Sequence, residues 1–112
     1  ALALMSLCRP GDEIVVSDNV YGPTKEISQK LLKEFNIIAK FYDPNNFDDL
    51  KQKISKKTKM ILVENPGSNT FEFQDLTKII KLAKSKNIFT LLDNTWGTPY
   101  FFKPINPINT II

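Results

Sequence analysis

The sequence predicts an α/β fold, with a mainly parallel sheet flanked by helices. Short apolar segments rich in β-branched residues alternate with amphipathic segments at roughly 20 to 30 residues per unit, which is the pattern of βαβ units. The strand candidates are almost continuously apolar, as is typical of strands that are covered on both faces of a parallel sheet. The 112 residues, 42% hydrophobic and 24% charged, suffice for one compact core and not for two.

The first half of the chain predicts two strands that alternate with helices. Pro10 and Gly11 end an apolar helical segment, and Pro23 suits the first turn of the next helix. Asn46 is a favourable N-cap for a short helix. The predicted elements in order are a helix end (1–8), a strand (13–17), a helix (22–35), a strand (37–42) and a helix (46–54).

The second half predicts two further strands around one helix. The strands are residues 60–63, which lead into Glu64, and residues 88–92, which lead into Asp93. Between them, Asp75 caps an amphipathic helix, and Asn87 ends it in the left-handed conformation. The tail from residue 97 onward is predicted to be irregular because of its prolines, which are Pro99, Pro104 and Pro107.

The composition excludes several classes of function. The chain contains no histidine and a single cysteine, Cys8, so histidine-based catalysis, disulfides and thiolate zinc clusters are excluded. The net charge is +3, but the lysines are distributed along the chain, and the denser run at 51–59 is expected to be the solvated end of a helix. We therefore expect no nucleic-acid partner. No segment reaches the roughly 18 apolar residues of a membrane span, so we expect a cytoplasmic protein without membrane association.

Two acidic residues are candidate site residues because they end predicted strands. Glu64 and Asp93 follow apolar runs, and ligands of open parallel sheets bind beyond the carboxyl ends of the strands. Each acid would also serve simply to cap the following turn, and the spacing indicates no specific metal site. The four glycines cannot form a dinucleotide-binding or Walker loop.

Four motifs, in order and with coherent spacing, resemble the pyridoxal-phosphate (PLP) enzymes of cysteine and methionine metabolism. They are Arg9–Asp12 (RPGD), Tyr21–Thr24 (YGPT), Val63–Thr70 (VENPGSNT) and Leu92–Trp96 (LDNTW). The form of the last two motifs is most similar to that of cystathionine β-lyases. The resemblance implies that the chain is part of the large domain of a fold-type I PLP-dependent transferase.

The resemblance also implies roles for individual residues. Asp93 matches the carboxylate that pairs with the pyridine nitrogen of pyridoxal 5'-phosphate. Tyr21 matches the tyrosine that stacks on the cofactor ring and takes part in substrate proton transfers. Glu64 and Trp96 match positions that we interpret as mainly structural. Ser68 stands where related γ-lyases have an asparagine, which favours the β-lyase branch.

By the same resemblance, the start of the phosphate loop, the segment with the Schiff-base lysine and the C-terminal domain are not represented in residues 1–112. Lys103 does not match the family's lysine motif. We therefore expect a piece of a carbon–sulfur lyase that cleaves cystathionine, an amino-acid thioether, in transsulfuration and methionine biosynthesis. The full enzyme is expected to be a homotetramer, and this chain is expected to be inactive alone.

Two alternatives remain open from the sequence, and a third class is disfavoured. The chain could be a non-catalytic remnant of a disrupted gene, or a part of an enzyme of the cystathionine γ-synthase or γ-lyase branch. A receiver-type signalling domain has a similar length, and Asp18 would mimic its acidic site. That class also needs a lysine at the end of a late strand, which this sequence lacks.

Overall fold

Five parallel strands form one sheet in a computed structural model, which describes residues 1–103 and the backbone of residues 110–111. The strands are β1 (Glu13–Ser17), β2 (Ile38–Tyr42), β3 (Thr58–Glu64), β4 (Phe89–Asp93) and β5 (Thr110–Ile111). Their order across the sheet is β2-β1-β3-β4-β5, and each neighbouring pair is parallel. This architecture confirms the predicted α/β fold and places β1 and β3 in the centre.

Helices precede and connect the strands. They are α1 (Leu2–Leu7), α2 (Gly22–Glu26), α3 (Leu32–Glu34), α4 (Phe47–Lys53), α5 (Leu76–Ser85) and α6 (Thr98–Phe101). A π-helical segment, Ile27–Leu31, joins α2 to α3. Within the described residues, no helix is both long enough and apolar enough to cross a membrane.

The central strands are buried on both faces, as their apolar sequences predict. Val15 and Ile61 contribute to a core that also contains Leu50 of α4 and Ile79 of α5. On the other face, Met60 contributes to a second core that includes residues of α1 and α3. Alternate residues of one strand thus serve two separate cores, because successive side chains of a strand point to opposite faces.

The predicted helix ends are confirmed. The side chain of Asn46 accepts hydrogen bonds from the backbone N–H groups of Asp48 and Asp49, at 3.1 and 3.0 Å. The Asp75 side chain caps α5 in the same way through the N–H of Lys78, at 3.0 Å. Asn87 has a φ of 55°, which is the left-handed conformation expected after that helix.

The predicted single helix over residues 22–35 is interrupted by the π-helical segment. Within this region, the Ser28 hydroxyl donates to the carbonyl of Thr24 at 2.8 Å. A serine that bonds to the carbonyl four residues earlier competes with the helix backbone and distorts it. The hydrophobic spacing of the segment carried no sign of this competition.

The prediction of an irregular tail from residue 97 is wrong for the described part. Pro99 lies inside the short helix α6, where a proline is tolerated because first-turn N–H groups have no partner in the helix. The backbone of Thr110 and Ile111 adds a fifth strand beside β4. Pro104 and Pro107 lie outside the described residues.

Candidate active site

The candidate site residues lie at the carboxyl edge of the sheet. Tyr21 follows the end of β1, Glu64 is the last residue of β3, and Asp93 is the last residue of β4. Glu64 and Asp93 are direct neighbours in the β3–β4 register. The topology thus brings to one edge three residues that are far apart in the sequence, and this is the edge where parallel sheets bind ligands.

The Asp93 carboxylate is oriented by the residue two positions later. Its Oδ1 accepts hydrogen bonds from the backbone N–H of Thr95, at 3.0 Å, and from the Thr95 hydroxyl, at 2.5 Å. An aspartate that bonds its own backbone two residues on forms a local turn, which fixes the side chain. The strand end therefore presents a carboxylate in a defined orientation.

Asp93 lines a cavity of about 750 Å³ between the sheet and the helices of one face. The walls are mainly apolar and include Leu62, Leu91 and Ile27. Lys103 also lines the cavity. A planar, apolar ring that carries one cationic atom suits such walls, since an apolar environment strengthens a pairing with a fixed carboxylate.

Tyr21 precedes helix α2, and its side chain is 56% exposed. Its backbone N–H donates to Glu64 Oε2 at 2.6 Å. The cavity reaches α2 at Thr24, three residues further on, while the described wall does not include Tyr21 itself. The structure therefore holds the Tyr21 backbone by a hydrogen bond and leaves the residue exposed at the surface, three positions before the cavity wall at Thr24.

Glu64 is 3% exposed, although it is an acid. Burial raises the pKa of its carboxyl above the ordinary value, and the negative charge of Asp93 adds to this rise. The hydrogen bond from Tyr21 and the Ser68 side chain act in the opposite direction. Burial and the neighbouring charge thus disfavour the ionised form of Glu64, while the hydrogen bonds favour it. The net effect is a raised pKa.

The loop that follows β3 is tied to its surroundings by polar contacts. The Asn65 side chain accepts from the N–H of Gln74 at 2.7 Å, and the Tyr42 hydroxyl donates to the Gln74 side chain at 2.6 Å. The N–H of Ser68 donates to the carbonyl of Asn19 at 3.0 Å. The loop after β3 is therefore fixed to the loop after β1, which carries Tyr21.

Gly67 is required where these two loops meet, and Gly67→Ala is expected to lower the free energy of unfolding by about 1–3 kcal/mol. A Cβ at this position would lie 2.2 Å from Nδ2 and 2.9 Å from Cβ of the buried Asn19 side chain. Urea unfolding of the variant measures the effect. Gly22→Ala is the matched control, because its Cβ would meet no atom within 4 Å. Equal stability of the two variants would contradict the close packing of these loops.

Sequence reasoning missed two features of the site. The contact between Thr95 and Asp93 could have been predicted, because an aspartate in a turn commonly accepts from the backbone N–H two residues on. No local sequence pattern indicates the hydrogen bond that the Tyr21 N–H donates to Glu64, since the two residues are 43 positions apart. Within the described residues, no three acidic, cysteine or histidine side chains come together as a metal site.

The fold and the site define a class of protein, namely a parallel α/β domain with a cavity at the carboxyl edge of its sheet. The sequence model of the Cys/Met metabolism PLP-dependent enzymes matches residues 1–108, and the chain belongs to this family. This match confirms the family resemblance that the four sequence motifs indicated.

The relatives of the chain include enzymes with different activities. It is 39% identical to a cystathionine beta-lyase of Lactococcus lactis subsp. cremoris over 103 residues, which are 92% of this chain and 27% of the relative. It is 34% identical to an L-alanine/L-glutamate racemase of Wolbachia pipientis, over 93% of this chain and 25% of that protein. The solved cystathionine gamma-lyase of Lactobacillus plantarum, complexed with L-serine, matches with a TM-score of 0.84 and 30% identity, over 88% of this chain and 26% of that one. The chain thus spans about a quarter of the length of these proteins.

Proposed function

We propose that the chain is the central part of the cofactor-binding large domain of a PLP-dependent carbon–sulfur lyase. In this proposal, Asp93 pairs with the pyridine nitrogen of pyridoxal 5'-phosphate, and Tyr21 stacks on the ring. The observation that carries the proposal is the oriented Asp93 carboxylate at the end of β4, in the wall of an apolar cavity. Membership of a PLP-dependent family supports it.

The residues at the edge of the sheet fit the cofactor chemically. When bound, the cofactor supplies an electron sink for the carbanion that forms at the substrate Cα. The Asp93 carboxylate would keep the ring nitrogen protonated, and Leu62 and Leu91 would exclude water from the surroundings of that pairing. Tyr21 lies on a fixed backbone near the cavity, where its ring can pack on a planar ligand and its hydroxyl can hold or pass a proton.

For the reaction, we propose β-elimination of an amino-acid thioether of the cystathionine type, which breaks the Cβ–S bond and releases homocysteine. Water then hydrolyses the remaining three-carbon enamine to pyruvate and ammonia. The similarity to the Lactococcus β-lyase and Ser68 in the loop after β3 support this branch. The γ-synthase or γ-lyase branch is the second candidate, supported by the match to the Lactobacillus γ-lyase. The shared segment occurs in enzymes of several activities, so residues outside this segment also contribute to the choice between the branches.

We further propose that the full enzyme is a cytoplasmic homotetramer and that this chain alone is inactive, because none of its lysines matches the lysine that bonds to the cofactor. Exposed aromatic side chains near the site support further contacts with the rest of the enzyme. Phe71 and Trp96, each about half exposed, pack edge to face with ring centroids 5.1 Å apart. Exposed apolar groups that form a patch are typical of a surface that meets other protein.

A chimera tests the proposed function. In the Lactococcus lactis β-lyase, the matching segment is replaced by the corresponding residues of this chain. We expect the chimera to bind PLP, with the visible absorbance of the bound cofactor, and to release pyruvate from cystathionine. The isolated chain is expected to show neither property.

Three outcomes of this experiment would each contradict a part of the proposal. A folded chimera that does not bind PLP would show that the chain is a remnant without a working cofactor site. PLP bound covalently to a lysine of the isolated chain, trapped by borohydride and located by peptide mass, would contradict its predicted inactivity. A chimera that prefers γ-elimination would favour the second branch.

A further inference from the structure

We propose that Glu64 is a positioning residue, whose buried carboxylate holds the backbone of Tyr21 and so determines where the Tyr21 ring stands at the cofactor site. The inference rests on the proposed function for the role of the ring, and on the geometry alone for the contact. It assigns a function to a residue that the sequence identified as mainly structural.

The contact joins two strand ends through the main chain of Tyr21. The N–H of Tyr21 donates to Glu64 Oε2 at 2.6 Å, which is short for such a bond and typical of a charged acceptor. Tyr21 immediately precedes helix α2, and its carbonyl accepts from the N–H of Lys25 at 3.0 Å. Because Glu64 binds the backbone, it fixes the Cα position of Tyr21 and leaves the ring free to contact a ligand.

Glu64 is suited to this role because it is buried at the end of a central strand. It is the last residue of the central strand β3 and is 3% exposed. Its own N–H donates to the Ser17 hydroxyl at 3.4 Å, and its carbonyl accepts from the Gln74 side chain at 3.4 Å. The Tyr21 backbone is therefore attached to the rigid centre of the sheet.

Stability of the fold does not explain why the group that accepts the Tyr21 N–H is the carboxyl of a glutamate. Burial and the charge of Asp93 raise the pKa of Glu64, so the folded state binds its proton more tightly than the unfolded state does. The contribution of Glu64 to stability therefore falls as the pH rises from the unfolded pKa to the folded one. At neutral pH a glutamine would accept the same N–H without the burial of a charge. The carboxylate gives a stronger and more rigid bond to Tyr21, at some expense in stability.

The test uses the ¹⁵N-labelled chain and follows the backbone amide of Tyr21 by NMR. In the wild type we expect its proton signal to lie downfield and to shift with pH as Glu64 titrates. In Glu64→Gln the pH-dependent shift is lost, while the free energy of unfolding at neutral pH stays the same or rises. In Glu64→Ala, the Tyr21 amide exchanges with solvent about 5-fold faster, as expected for the loss of about 1 kcal/mol of hydrogen bonding. The conservative Gln variant restores most of this protection.

Glu13→Gln is the matched control. Glu13 is also a mostly buried carboxylate, but it lies at the opposite end of β1 and accepts from Lys40 at 2.6 Å. We expect it to leave the Tyr21 signal unchanged.

A Tyr21 amide that neither titrates nor responds to Glu64→Gln in the folded chain would overturn the proposal. If Glu64→Ala does not fold, the comparison of the pH-dependent shift of the Tyr21 amide in the wild type and in Glu64→Gln still tests the proposal. The measurement needs no cofactor, so its failure leaves the role of Asp93 intact. Failure of the chimera to bind PLP would instead overturn the proposed function, with the contact between Glu64 and Tyr21 unaffected.

Discussion

Replacement of Asp93 by asparagine is expected to lower the kcat of the chimera by about 10²–10³-fold, the usual effect of removing one electrostatic stabiliser from a reacting centre. Asparagine has the same shape and can still accept from Thr95, whose N–H lies 3.0 Å from Oδ1. It lacks the negative charge that would hold a proton on the pyridine nitrogen. The substrate Cα–H bond would then break without an effective electron sink.

Steady-state rates of pyruvate release measure this effect, and the absorbance of bound PLP reports on occupancy. Asp18→Asn is the control, because Asp18 lies near the same edge of the sheet but forms an exposed ion pair with Lys25. An exposed pair of this kind contributes little, so the control is expected to keep its rate. Equal rates for Asp93→Asn and the unmodified chimera would contradict the proposed role of Asp93 in the reaction.

Ile61→Ala is expected to lower the free energy of unfolding of the chain by about 2–5 kcal/mol. Ile61 is fully buried in the central strand β3 and pairs in register with Val15 of β1 and Thr90 of β4. Removal of its outer carbon atoms leaves a cavity that three paired strands cannot close without distortion. An effect of this size is a large fraction of the stability of a typical small domain.

Urea unfolding followed by circular dichroism measures the change. Ile38→Ala is the control, because Ile38 is 51% exposed on the edge strand β2. We expect the control to lose less than about 1 kcal/mol, since about half of the residue stays exposed to solvent in the folded state. Similar losses for both variants would contradict the assignment of β3 to the centre of the sheet.

The strands and the helix caps were predictable because their signals are local. The predicted strand at residues 13–17 coincides with β1, and Asn46 and Asp75 cap their helices as expected. Each of these signals depends on a few adjacent residues and on general chemistry. The π-helical segment and helix α6 were not predicted, because hydrophobic spacing does not reveal a competing serine and prolines favour the prediction of a loop.

The site was predictable only in part. Asp93 could be identified because it ends an apolar run, and motif resemblance added Tyr21. The bond between Glu64 and the Tyr21 backbone depends on strand order, which places β3 beside both β1 and β4. Strand order is set by long-range packing, and no local pattern in the sequence encodes it.

We expect Asp93 of this chain to supply the negative charge that keeps the cofactor ring protonated. The most direct test is ¹⁵N NMR of the ring nitrogen in chimeras loaded with ¹⁵N-labelled PLP. At neutral pH we predict a protonated ring nitrogen with Asp93 and an unprotonated one in Asp93→Asn. The same protonation state in both proteins would contradict the claim.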